Sequence, residues 1–296
     1  AAEDPYDLAL VIMRKNQALD LLPVLAANTH IPNVLFLMNN AAGPAALVEA
    51  LGPGRVLIGF PTSAGYRDGH VMHVLTGQPG DEKEVPIGEI DGSITGRTRL
   101  VAAALQSMPG FEIDVRTDMD AWLKYHVALL MPSLVAAFYA CDEDRLRLAG
   151  TRDALVLALR AVREGFQALQ TLGYPVTPQE LGVFAWVPEP LLVALFGRRL
   201  RHPLVEVGLA KHAGAAREEI QLLADEFIAL ARQTRLPTPA IDRLYAYFDP
   251  ATPRLPAGSA ELPLDWRAVW SGLAVAGALV AAVALGWRLG GRRKVT

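Results

Sequence analysis

Three compact apolar runs, DLALVIM (7–13), NVLFLM (33–38) and RVLIGF (55–60), are separated by two stretches of helical character, NQALDLLPVLAAN and GPAALVEALG. Runs this short and this uniformly apolar suit strands buried on both faces. Parallel neighbours need a crossover connection, so the β-α-β-α-β rhythm predicts an α/β sheet with right-handed helical crossovers. Gly52 closes the second helix. Beyond it, GHVMHVLTG and KEVPIGEI read as a strand pair, with GYRDGHV (65–71) as a Gly-bounded turn. GRTRLVAAALQSM then reads as a helix leading to the strand FEIDVR.

The character changes after Asp118. Helical periodicity runs to about Phe248, broken at Cys141–Asp144, at GYPVTP and at PEP, so the second half is expected to be all-α. In its first helix Trp122, Leu123, Val127, Leu130, Met131 and Leu134 recur at three- and four-residue spacings. Asp118 and Asp120 suit the N-terminus of that helix, and Pro132 should kink it. Lys124 stands alone among those apolar positions. It either snorkels, with its stem on the core and its charge in water, or supplies a cation to a cleft.

The chain of 296 residues carries a net charge of −3, and no basic field suits a nucleic-acid backbone. Its mean hydropathy of +0.24 is high for a soluble protein. The source is local. Residues 249–265, DPATPRLPAGSAELPLD, read as a Pro-rich extended linker. Ala268–Trp287 is then uncharged for twenty residues, about 30 Å as a helix and enough to cross a bilayer. Trp266, Trp270 and Trp287 sit near its ends, where interfacial aromatics belong. The expected transmembrane helix covers 266–288, with a basic tail at 289–296. The opening AAEDPYDLALV has neither the basic nor the apolar part of a signal peptide. Residues 1–265 are therefore expected in the cytoplasm, on a single-pass C-terminal anchor.

Several chemistries leave no trace. There is no G-x-G-x-x-G and no G-x-S-x-G, and the six histidines form no zinc pattern, so no metal is expected. What remains is FLMNNAAG (36–43), where Asn39 and Asn40 follow a strand and small residues let a ligand come close. Glu219 opens the helix EEIQLLADEFIALA, where a carboxylate also serves the helix dipole.

Taken in order from Asp7 to Phe248, these pieces resemble the ketopantoate reductase (2-dehydropantoate 2-reductase) family. DLALVIMRKNQ looks like its fourth strand with the basic residue that follows, and LFLMNNAAG like its strand ending in an Asn turn. VLIGFPTSAGYRDGHVMHV, VPIGE, AWLKYHVALL and REEIQLLADEFIALARQTRLPTPAIDRLYAYF resemble its later signatures. The resemblance implies a fold that is α/β followed by all-α. Residues 1–117 would be a partial Rossmann-like nucleotide-binding domain and 118–248 the helical domain. The family's first β-α-β, with its phosphate loop, would precede Ala1. The resemblance further implies NADPH-dependent reduction of a 2-keto acid. Lys124 falls on the catalytic lysine, Asn40 and Glu219 on substrate-binding residues, and Arg14 and Asn40 on the cofactor side. Ala128 and Pro132 replace asparagines usual in the family, which leaves a second reading open: a non-catalytic, membrane-tethered binding or scaffold relative.

Overall fold

The structure, a computed structural model, describes residues 6–202 and 216–278. Its centre is a five-stranded sheet in the order β1-β2-β3-β6-β7. β1 (Ala9–Val11), β2 (Val34–Leu37) and β3 (Val56–Gly59) run parallel, as the sequence rhythm requires. The continuous apolar runs follow from burial on both faces. Val34, Phe36, Val56 and Ile58 pack with Ala18, Leu22 and Leu25 of α1 (Lys15–Ala27) and with Leu47 and Leu51 of α2 (Ala45–Leu51). Leu35, Leu37 and Leu57 turn the other way, onto Val101 and Leu105 of α3 (Gly96–Leu105).

One strand pairing differs from the expectation. β5 (Val71–Leu75) pairs with β4 (Ala64–Asp68) in a separate antiparallel ribbon, and not with β6 (Lys83–Glu89). β6 instead enters the main sheet, antiparallel to β3 and parallel to β7 (Phe111–Val115). The reason is local. Asp68 faces Val71 across a two-residue loop that opens on Gly69 at φ +55°, and such a loop closes a hairpin at once.

In the helical half, α4 (Met119–Leu129) passes through a π-helical stretch, Leu130–Val135, into α5 (Ala136–Ala140). The irregularity falls where Pro132 was expected to kink the helix. Proline cannot donate to the carbonyl four residues back, here Ala128. The Ser133 hydroxyl takes over, donating to Ala128 O at 3.0 Å and also to Leu129 O. Met119–Ala140 is the one helix among the described residues long and apolar enough to cross a membrane, and 72% of its most apolar window is buried in the fold. Around it pack α6 (Arg145–Gly150), α7 (Arg152–Thr171), α10 (Arg217–Arg232) and α11 (Pro239–Tyr245), while α8 (Val183–Trp186) and α9 (Glu189–Leu200) lie against α7.

Residues 249–265 have no regular structure, yet they are tied down rather than free. Leu255 N–H donates to Ala140 O at 3.0 Å, and the buried Asp153 carboxylate accepts the N–H groups of Glu261 and Leu262, both at 2.9 Å. Residues 267–278 are helical, with Trp270, Leu273 and Val275 exposed. The remainder of the expected membrane span, 279–288, and the tail 289–296 lie outside the described residues.

Candidate active site

The C-terminal end of β2, the N-terminus of α1, α4 and α10 meet at one cluster of buried polar side chains. Lys124, Asn40, Glu219 and Lys15 are each 4% exposed or less. Lys15 heads the buried stripe of α1, in line with Ala18, Leu22 and Leu25. Its ammonium donates to Asn40 Oδ1 at 2.8 Å and to Glu226 Oε2 at 2.6 Å. Its backbone N–H, unpaired within a helix start, donates to Glu219 Oε1 at 2.9 Å. Glu219 thus serves the N-terminus of α1 while sitting in the first turn of α10.

Asn40 is fixed by Gly43 from both sides. Its Oδ1 accepts Gly43 N–H at 3.1 Å, and its Nδ2 donates to Gly43 O at 2.9 Å. Gly43 lies at φ +83°, and a Cβ there would stand 3.2 Å from Lys124 Nζ. Glycine therefore brings the Lys124 ammonium against the Asn40 turn. Lys124 does not snorkel. Its Nζ donates to Asp120, one turn back, and lies 4.8 Å from the centroid of the Tyr174 ring. Tyr125 O–H donates to Tyr174 O at 3.2 Å and steadies that platform.

No protein-family profile matches this chain, and no curated protein matches it in sequence. Solved structures do match. D-mandelate dehydrogenase in a ternary structure with NADH and anilino(oxo)acetate superimposes with a TM-score of 0.64 at 13% identity, over 84% of this chain and 76% of that one. The 2-dehydropantoate 2-reductase of Geobacter metallireducens gives 0.62 at 16% identity, over 84% and 78%. Dimeric ketopantoate reductase from Staphylococcus aureus gives 0.59 at 12%, over 82% and 76%. The chain has the ketopantoate reductase fold.

Within that fold, the sequence-derived candidates separate into two groups. Lys124, Asn40 and Glu219 belong to the one cluster, linked through Gly43 and Lys15. Arg14 does not: it is exposed at the N-cap of α1, and the side chain turned into the site is Lys15. Lys15, Glu226, Asp120 and Tyr174 escaped the sequence reading. Two had a legible signal, since Lys15 shares the apolar spacing of α1, and Glu226 lies seven residues, two helical turns, after Glu219.

The cluster holds two ammoniums, Lys15 and Lys124, against three carboxylates, Asp120, Glu219 and Glu226. Burial lowers the Lys15 pKa below the usual lysine range, the Glu226 carboxylate restores part of the loss, and the nearby Lys124 charge lowers it again. Two buried acceptors on the residues next in sequence to Lys15 and Asn40, Asn16 Oδ1 and Asn39 Oδ1, have no partner among the described residues. Cys141 takes no part, and burial pushes its thiol up to about 11. Among the described residues no group of His, Cys, Asp and Glu is placed to hold a metal ion.

Proposed function

We propose that this chain catalyses NAD(P)H-dependent reduction of a ketopantoate-like 2-keto acid to the 2-hydroxy acid. The observation that carries the reading is a buried Lys124 ammonium fixed beside Asn40 at the C-terminal end of a parallel strand, where ligands bind in sheets of this kind. The reduced nicotinamide would supply a hydride to the ketone carbon. Charge then develops on the ketone oxygen, and Lys124 is the group to stabilise it and donate the proton. Asp120 holds that ammonium from one side and the Tyr174 ring from another. Lys15 is the cation to receive the substrate carboxylate as Glu226 gives way, and Glu219 binds a substrate hydroxyl.

The residues present suit the nicotinamide end of such a cofactor. Asn16 and Asn39 carry the unpartnered buried acceptors, and a carboxamide N–H or a ribose hydroxyl would satisfy them. NADP rather than NAD follows from the sequence resemblance alone; the mandelate dehydrogenase neighbour was solved with NADH. We further propose a cytoplasmic catalytic part on a single C-terminal membrane span. Its support is the uncharged sequence Ala268–Trp287 and the exposed apolar helix over 267–278.

Two observations favour the rival reading of a membrane-tethered binding or scaffold module. Both ammoniums already have internal carboxylate partners, and Ala128 is packed in the core where the family resemblance implies an asparagine. Cofactor oxidation measured across simple and hydroxylated 2-keto acids separates the two. Turnover is expected, with Glu219→Gln raising KM for hydroxylated acids far more than for simple ones. Well-folded protein that turns over none of them would leave the scaffold reading standing.

A further inference from the structure

Helix α9 has an outer face that nothing in the described fold covers. Leu191 and Leu195, one turn apart, are 55% and 59% exposed, and Trp186 just before the helix is 71% exposed. Arg198 continues the same line of side chains one turn on. Beside it lies a groove of about 390 Å³ lined by Arg152, Arg198 and Arg201, with no carboxylate in its wall. The Arg198 side chain makes no hydrogen bond or ion pair among the described residues. Arg201 spends Nη2 on Ala149 O, and Arg152 spends Nη2 on Ala260 O and Leu262 O of the strap formed by residues 249–265. Complementing the C-terminal dipole of α9 accounts for some of this charge. It does not account for the bare tryptophan and leucines beside it.

The C-terminal segment starts from this same helix. Asp265 N–H donates to Glu189 Oε1 at 2.9 Å in the first turn of α9, and Arg160 donates to both Glu189 and Pro263 O. From there the exposed apolar helix begins, and the sequence stays uncharged to Trp287. We propose that the outer face of α9 lies on an anionic bilayer, with lipid phosphates in the arginine groove and Trp186, Leu191 and Leu195 at the acyl boundary. The proposal rests on the membrane-anchor reading above and adds the side on which the domain sits. Exposed tryptophan and leucine next to arginine is the chemistry of an interfacial surface. Each arginine near an anionic leaflet strengthens attachment roughly fivefold.

The test uses the full chain, with a fluorophore on Leu195→Cys, in vesicles of phosphatidylcholine with or without phosphatidylglycerol, each containing brominated lipid as quencher. Leu100→Cys, at a position 74% exposed on α3, is the reference. Protein is expected to resist alkaline carbonate extraction from both lipids, and position 195 to be quenched in the anionic vesicles while position 100 is not. Arg198→Glu with Arg201→Glu should cut that quenching by about half or more. An unquenched position 195 in carbonate-resistant protein would overturn the surface while leaving the anchor intact. Protein stripped by carbonate would overturn the anchor and the surface with it. Equal quenching in neutral and anionic vesicles would overturn the role given to the arginines.

Discussion

Gly43→Ala separates the cost of a backbone conformation from the cost of disturbing the site. Gly43 and Gly52 both have a positive φ, +83° and +80°. Alanine is strained at either, at a cost of about 1–3 kcal/mol, which is about 2–4 °C in Tm per kcal/mol for a chain of this size. Their surroundings differ. A Cβ at Gly52 meets nothing within 4 Å, whereas one at Gly43 stands 3.2 Å from Lys124 Nζ and 3.4 Å from Asp120 Oδ1. The Lys124 ammonium must then retreat by a few tenths of an ångström from the Asn40 turn. Misplacement of a catalytic group by about 1 Å can cost a hundredfold, so roughly a tenfold loss of kcat is expected for Gly43→Ala and none for Gly52→Ala. Thermal melts and cofactor-linked turnover on both variants make the comparison. Equal turnover in the two, with similar melts, would refute the assignment of Gly43 as the residue that seats Lys124.

Asp153→Ala should cost about 3 kcal/mol, because it removes two charge-assisted hydrogen bonds to the strap. Burial works against the Asp153 carboxylate, but the Glu261 and Leu262 N–H groups lead the interactions, the Arg152 charge among them, that together outweigh it and hold its pKa low. Its contribution is therefore present above the unfolded aspartate value and lost as pH falls through the folded one; chemical melts of Asp153→Ala should show a flatter acid limb. Glu226→Gln removes the partner that offsets burial at Lys15, so the Lys15 pKa should fall further. Between the folded and unfolded lysine values the unfolded chain binds the extra proton, and stability rises with pH. That rise should span a wider pH window in Glu226→Gln than in the parent, and identical profiles would exclude the pairing.

The parallel core was legible because its strands are buried on both faces: Val34 to Leu37 alternate between two helical layers, so no polar residue interrupts the run. The hairpin was not, because strand character in GHVMHVLTG says nothing about which neighbour it pairs with. The Gly-led loop Gly69-His70 carried that information. In the site, Lys124 was conspicuous as a charge on an apolar helix. Its neighbour Lys15 was hidden behind Arg14, since two adjacent basic residues look alike until the burial stripe of α1 distinguishes them. Asp120 reads as a first-turn carboxylate, and only the fold shows it turned to Lys124. Tyr174 is fifty residues from the lysine it faces, a proximity no local pattern records.

The central claim is that Lys124 is the proton donor. Steady-state reduction of a 2-keto acid by Lys124→Ala and Lys124→Met, with melts to verify folding, tests it most directly. Loss of a general acid should lower kcat by roughly a hundredfold or more in both variants. Near-parental turnover in either folded variant would contradict the account and leave Lys124 a buried structural cation paired with Asp120.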